Sequence, residues 1–256
     1  MLSKLRHQLN IATSVLGSSM TLWRGTSVVH AAKQPAKPIQ LYDMEGSPPC
    51  RSVRAALTAL GLDVEIYPCP LGGERFASQA IALGGKTGLP VLVDTNTNTV
   101  RTRPDAIIKY LFRHYAHTMV PPYYRAGLVP HALGTMASVA RQMRGISARE
   151  SHLPAQLLQL WSFESSPFSS LVRERLTELE LPYVLHNIGK EQFADMGPAV
   201  MRVKPGPYVP QAGGKREKVL AQLGRVQVPY LEDPNTGAKL YESAQIIDYL
   251  EQHYAR

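Results

Sequence analysis

Ser166-Pro167-Phe168, Val228-Pro229 and Glu242-Ser243 are the residues of this chain whose types and spacing suit chemistry. Proline is tolerated in the first turn of a helix, where its missing N–H would have had no partner, so Ser166 stands at a helix mouth. Unpaired backbone N–H groups and the helix dipole there favour a bound anion and stabilise a thiolate. The competing role for Ser166 is a plain helix N-cap. A cis bond at Val228-Pro229 would turn the preceding N–H and C=O outward, ready to pair with an extended peptide. Glu242-Ser243, opening the last helix, offer a carboxylate and a hydroxyl suited to a ligand's amino group and carboxylate, with helix capping as the alternative.

These clusters sit in a duplicated frame. Ser47-Pro48-Pro49-Cys50 through Leu57 returns as Ser166-Pro167-Phe168-Ser169 through Leu176, and Leu89-Pro90-Val91 as Val228-Pro229-Tyr230. Ile107-Ile108-Lys109-Tyr110-Leu111 returns as Ile246-Ile247-Asp248-Tyr249-Leu250. Each copy reads strand, turn, helix, strand, a variable stretch, then strand, hairpin, strand and helix. That order predicts an α/β fold of two tandem domains, each a βαβ unit followed by ββα on a mixed four-stranded sheet. The expected boundaries are an N-terminal basic helix and linker (1–38), a first domain (39–118), a helical linker (119–157) and a second domain (158–256). An insertion near Gly197 to Gly214, rich in Pro and Gly, is expected as a mobile loop. Leu16-Gly17 to Gly25 is weakly echoed by Leu133-Gly134 to Gly145, so the N-terminal helix is expected to belong to the repeat rather than to a disposable leader.

The 256 residues carry a formal charge of +8, and no acidic residue precedes Asp43. A basic end favours anionic partners, yet no aromatic–basic interleaving supports nucleic-acid binding. Residues 2–23, with Leu2, Leu5, Leu9, Ala12 and Leu16 at helical spacing, suit docking on the second repeat or peripheral contact with a membrane. The Met20/Trp23 and Met136/Met143 stripes suit packing surfaces. Two cysteines, Cys50 and Cys69, without metal-ligand spacing predict no metal site and a reducing compartment. Cys50 is the one candidate thiol nucleophile, since neither copy has Cys-x-x-Cys. Arg54 and Arg173, one turn inside their helices, could contact an anion.

In combination and order the three clusters resemble the N-terminal thioredoxin-like, glutaredoxin-like domain of glutathione S-transferases, taken twice and without the usual all-helical C-terminal domain. The resemblance implies glutathione as ligand or substrate. It implies Ser166 as the hydroxyl that activates the thiol, Val228 and Pro229 as the backbone partner of the glutathione cysteine, Phe168 beside them, and Glu242 with Ser243 as the γ-glutamyl clamp. The first copy keeps the counterparts Ser47, Leu89 and Pro90 but has Arg103-Pro104 in place of the clamp, and arginine accepts no hydrogen bond. The expected function is glutathione binding with glutathione-dependent transfer or thiol reduction in the second domain through Ser166, or a monothiol cycle through Cys50 of the first domain. The alternative is a non-catalytic binding or interaction module with a protein partner. Cytoplasmic placement is expected, with organellar or membrane-peripheral placement as the alternative.

Overall fold

The computed structural model describes residues 2–84, 88–197 and 206–256; part of the expected 197–214 insertion therefore lies outside the described residues. In chain order the elements are α1 (Leu2–Met20), β1 (Ile39–Asp43), α2 (Pro48–Leu60), β2 (Val64–Pro68), α3 (Ala77–Gly84), β3 (Val91–Asp94), β4 (Thr99–Arg101), α4 (Pro104–Tyr115), α5 (Leu128–Ala140), β5 (Leu158–Ser162), α6 (Pro167–Glu178), β6 (Tyr183–Asn187), α7 (Lys215–Leu223), β7 (Tyr230–Asp233), β8 (Ala238–Tyr241) and α8 (Ser243–Tyr254). The stretch read as variable in each copy holds a short helix, α3 or α7. Neither carries the apolar stripe that makes a helix legible; each buries only one or two side chains.

All strands join one mixed sheet in the order β4-β3-β1-β2-β6-β5-β7-β8. The two halves meet where β2 pairs antiparallel with β6: Val64 faces Leu185, Glu65 faces Val184 and Ile66 faces Tyr183. Because Val64 corresponds to Tyr183 and Ile66 to Leu185, this register is a local two-fold axis perpendicular to the sheet. Pairing the two edges removes a strand edge each half would otherwise expose. Alternating residues Ile39, Leu41, Val64 and Ile66 and their counterparts Leu158, Leu160, Tyr183 and Leu185 are buried in one continuous core, which also takes in buried side chains of α2, α4, α6 and α8.

The axis runs beside a buried ion network. Arg54 donates through Nη1 to Asp43 at 2.8 and 2.6 Å and crosses the axis through Nε to Glu164 at 2.9 Å. Arg173 crosses the other way, pairing both oxygens of Glu45 at 3.0 Å and bonding Ser162 Oγ at 2.8 Å. Both guanidiniums are fully buried. The anion the two arginines contact is thus the chain's own set of carboxylates. Burial alone would raise Glu164, but Arg54, Arg173 and Arg51 outweigh it and hold that carboxyl low. For Glu45, with Glu164 beside it, burial wins and the carboxyl is raised.

The helices ahead of each copy are exchanged. α1 packs on α6 of the second half and α5 on α2 of the first, while α1 and α5 pack on each other. Ser18 donates to Ser165 O at 3.0 Å, and Ser138 to Gly46 O at 2.7 Å. These contacts set the true register of the echo: Ser18 matches Ser138, three residues away from the pairing of Leu16-Gly17 with Leu133-Gly134. The Arg-Gly pair has a clear cause. Gly25 and Gly145 have φ of +80° and +69°, and a Cβ on Gly25 would lie 2.6 Å from the Glu164 side chain. Only glycine combines that backbone with so close an approach.

The docked face of α1 differs from the expected one. Ser14, Gly17 and Ser18 are buried, while Leu5, Leu9 and Leu16 point to solvent. Ser14 donates to Pro167 O at 2.8 Å. Small hydroxyl residues allow close approach to the start of α6 and satisfy its backbone, which a leucine face would not. Trp23, Met136 and Met143 are likewise largely exposed rather than packed inside.

Each hairpin is closed by a buried aspartate. Asp94 accepts from Asn96, Tyr110 (2.6 Å) and Tyr115, and Asp233 from Asn235, Tyr249 (2.7 Å) and Tyr254 (2.5 Å). Burial raises both carboxyls, but the phenol and amide donors outweigh it and hold them below the ordinary aspartate value. A carboxyl depressed by folding contributes stability above its unfolded pKa, about 4, and that stability is lost as pH falls through the lower folded value. Urea midpoints are expected to fall on acidification through that range, and Asp94→Asn with Asp233→Asn should lower the neutral midpoint and flatten this acid limb.

Candidate functional site

One cavity of about 990 Å³ is lined by Ser166, Pro167, Phe168, Val228, Pro229, Glu242 and Ser243. The fold therefore brings together all three clusters from the second copy. Ser166 ends the turn after β5, and its Oγ accepts from Ser169 N at 3.3 Å and Ser169 Oγ at 2.9 Å. It is an N-cap, as the competing reading had it. Both bonds use oxygen lone pairs, so the hydroxyl proton stays available to a ligand in the cavity. The Val228–Pro229 bond is cis, as is Leu89–Pro90 in the first copy.

Glu242 carries a conformational signature. Its φ of +64° and ψ of +118° lie outside the regions that a residue with a Cβ prefers. Strain of this kind costs about 1–3 kcal/mol and clusters at ligand sites. Its Oε1 accepts from Gln227 Nε2 at 2.5 Å. Ser243 is buried, 3.3 Å from His7 Nε2 on α1. Both residues line the cavity, Glu242 exposed and Ser243 buried.

Several lining residues carried no sequence signal. Lys190 and Arg216 supply two cations. The Lys190 ammonium donates to Asp195 O at 2.7 Å and Gly197 O at 2.6 Å, which leaves one of its three protons unassigned. Burial, aided by the nearby Arg216, lowers its pKa to about 8. A lone lysine after a strand has no spacing that distinguishes it from a surface residue. Apolar lining comes from Val15 of α1, Trp23 in the turn after it, Val29, Pro121, Tyr123 and Phe163, whose ring centre lies 5.9 Å from the Lys190 ammonium. Tyr123 belongs to a 3-10 turn, Pro122–Tyr124. Its hydroxyl donates to Leu22 O, and the Arg24 guanidinium lies 5.3 Å from its ring centre, so the end of α1 and this turn form one wall.

The first copy keeps Ser47 but departs at the other matching polar positions. Parallel bridges pair Ser27 with Lys190 and, symmetrically, Ser147 with Leu71, so Leu71 stands where Lys190 does. Arg103 stands in place of Glu242 with an ordinary φ of −100° and pairs with Asp105 at 3.0 Å. Ser47 makes no cap bond. Cys50 is fully buried, and burial together with the Asp43 carboxylate pushes its thiol well above the ordinary value. That is the environment of a neutral packing residue, not of a nucleophile, so the monothiol reading of Cys50 has no physical support. Both cysteines are free thiols. Among the described residues no cluster of His, Cys, Asp and Glu has the arrangement to hold a metal, and no helix is long and apolar enough to cross a membrane.

The family model for the glutathione S-transferase N-terminal domain matches residues 41–119 and 160–256, more than half of the chain. Among solved structures, the Bombyx mori glutathione transferase BmGSTD1 is 26% identical over 34% of this chain and 39% of its own, with a TM-score of 0.30. A delta-class glutathione transferase from Nilaparvata lugens is 31% identical over 31% of this chain and 37% of its own, with a TM-score of 0.27. The chain thus spans well under half the length of either. A search of curated proteins finds no match. The chain belongs to the glutathione S-transferase N-terminal domain family, whose pattern it matches in two separate segments.

Proposed function

We propose that the cavity of the second half binds glutathione and supports its transfer to an apolar electrophile. The observation that carries this reading is convergence: a helix-mouth hydroxyl, a strand-opening Val-Pro and a strained Glu-Ser all face one space. Ser166 donates its free proton to the glutathione sulfur and favours the thiolate. The Val228 main chain pairs with the cysteinyl residue, Phe168 lies alongside, and Glu242 with Ser243 grips the γ-glutamyl end. Lys190 and Arg216 supply positive charge for the glycyl carboxylate. The wall built by Val15, Trp23, Pro121 and Tyr123 shelters a flat, apolar co-substrate. Transfer is favoured over thiol reduction because neither cysteine lines the cavity among the described residues.

Titration calorimetry tests this. Glutathione should bind with one site per chain, because the first half has Leu71, Arg103 and Pro104 where the second has Lys190, Glu242 and Ser243. No heat would remove the reading, and two equivalent sites would refute the asymmetry.

Lys190 adds a pH dependence. Its ammonium is charged below about pH 8 and neutral above it, so attraction for a carboxylate falls as pH rises through that value. S-methylglutathione, which has no titrating thiol, should therefore bind more weakly above pH 8. Lys190→Arg, which keeps its charge, should remove that step while leaving the ligand's own titrations in place.

A further inference from the structure

The family site leaves the outward face of α1 and α5 unused. These helices run antiparallel in contact: Gly17 lies against Ala137 and Arg141, and Arg141 Nη1 donates to Asn10 O at 2.7 Å. Small residues fill the inner faces. On the outer faces Leu5, Leu9 and Leu16 of α1 and Leu128, Met136 and Val139 of α5 stand in solvent, Leu9 at 59% exposure and Leu128 at 90%. Because the two-fold axis is perpendicular to the sheet and both helices lie over α2 and α6, the two stripes face the same way. Together they make a broad apolar patch, unusual on a soluble surface.

The two helices themselves carry charge of one sign, although Arg6 also borders a groove with Asp248 and Glu251 of α8. No Asp or Glu occurs in residues 1–42 or 106–149, which hold both helices and their flanks, whereas Arg6 and Arg125 are exposed there. Trp23, half-exposed at the end of α1, is the residue type that settles at a lipid–water boundary. A second copy of the chain would bring the same cations against these, whereas an anionic lipid surface complements both the apolar stripe and its charge.

We propose that the outer face of the α1–α5 pair docks on an anionic bilayer, with the leucine and methionine side chains entering the interface and the flanking arginines meeting lipid phosphates. Val15 of α1 and Trp23 in the turn after it wall the cavity, so the docked protein holds that wall against the lipid.

Vesicle sedimentation of the full chain tests the proposal. Phosphatidylcholine vesicles containing phosphatidylserine should pull the protein down, phosphatidylcholine alone should not, and added salt should weaken the association. The double variant Leu9→Asp/Met136→Asp should lose about tenfold or more in partitioning; the milder Leu5→Ser/Leu128→Ser pair should show a smaller loss with an unchanged melting profile. Absence of phosphatidylserine-dependent binding would overturn the proposal, as would variants that bind like wild type. Sedimentation velocity showing a wild-type dimer that these variants dissociate would assign the face to a second copy and would equally overturn it.

Discussion

Replacing Arg54 by Met is expected to cost about 3–5 kcal/mol of folding stability. The guanidinium is fully buried and is the principal partner of Asp43, as well as a partner of Glu164 across the axis. Removing it leaves three carboxylates, Asp43, Glu45 and Glu164, facing Arg173, with Arg51 only at 3.7 Å from Glu164. A buried charge without its partner is far more costly than an absent pair. Since a domain's whole stability is about 5–15 kcal/mol, such a loss would leave the chain marginal. Arg173→Met should behave similarly through Glu45. The informative control is Arg173→Met with Glu45→Leu, which removes both members of a pair and should recover most of the loss, because an apolar replacement of a complete ion pair is often neutral. Denaturant unfolding of the four proteins measures this. A single-variant cost under about 1 kcal/mol would show that water reaches the network.

The network also shows where sequence reading stops. Periodicity made the first copy's helix legible, because Val53, Ala56, Leu57 and Leu60 carry a clear apolar stripe, and the repeat extended it to the second copy, where Val172, Leu176 and Leu179 match but Arg175 replaces Ala56. The three clusters of the candidate site were legible because each sits at a fixed place in the repeat. What escaped was long-range. Nothing local says that Arg54 pairs with Glu164, 110 residues away, since that contact exists only once β2 meets β6. Nothing in α1 says that its serines rather than its leucines face the protein. An amphipathic stripe normally marks the buried side of a helix, and here the stripe is the outer side. Lys190 escaped for the same reason as the network: its importance comes from Ser27 and Arg216, which only the fold brings near.

The exchange of α1 and α5 ties these observations together. In this chain α1 reaches over to the second half, places His7 near Ser243, seats Ser14 and Ser18 on the start of α6, and ends at Trp23 in the cavity wall. The symmetric contacts of α5 seat Ser138 on the first half, which keeps Ser47 but has Leu71, Arg103 and Pro104 at the other matching positions. The cavity of the second half is thus walled in part by the helical segment that precedes the first half.

Glu242 is where that division is most sharply tested. Glu242→Ala should weaken glutathione binding about 10- to 100-fold, the worth of one charge-assisted hydrogen bond. Glu242→Gly should weaken it as much while making the protein more stable, by up to about 1 kcal/mol, because glycine adopts positive φ freely and releases strain that outweighs its own entropic cost. Affinity and stability moving in opposite directions at one residue would mean that the strained backbone is kept for the ligand. Transplanting the clamp, with Arg103→Glu and Pro104→Ser, should not raise the stoichiometry above one. Residue 103 holds an ordinary φ of −100°, and Leu71 still occupies the place of Lys190. Calorimetry with parallel urea unfolding reads all four proteins, and a Glu242→Gly variant that loses stability or keeps full affinity would refute the role given to Glu242.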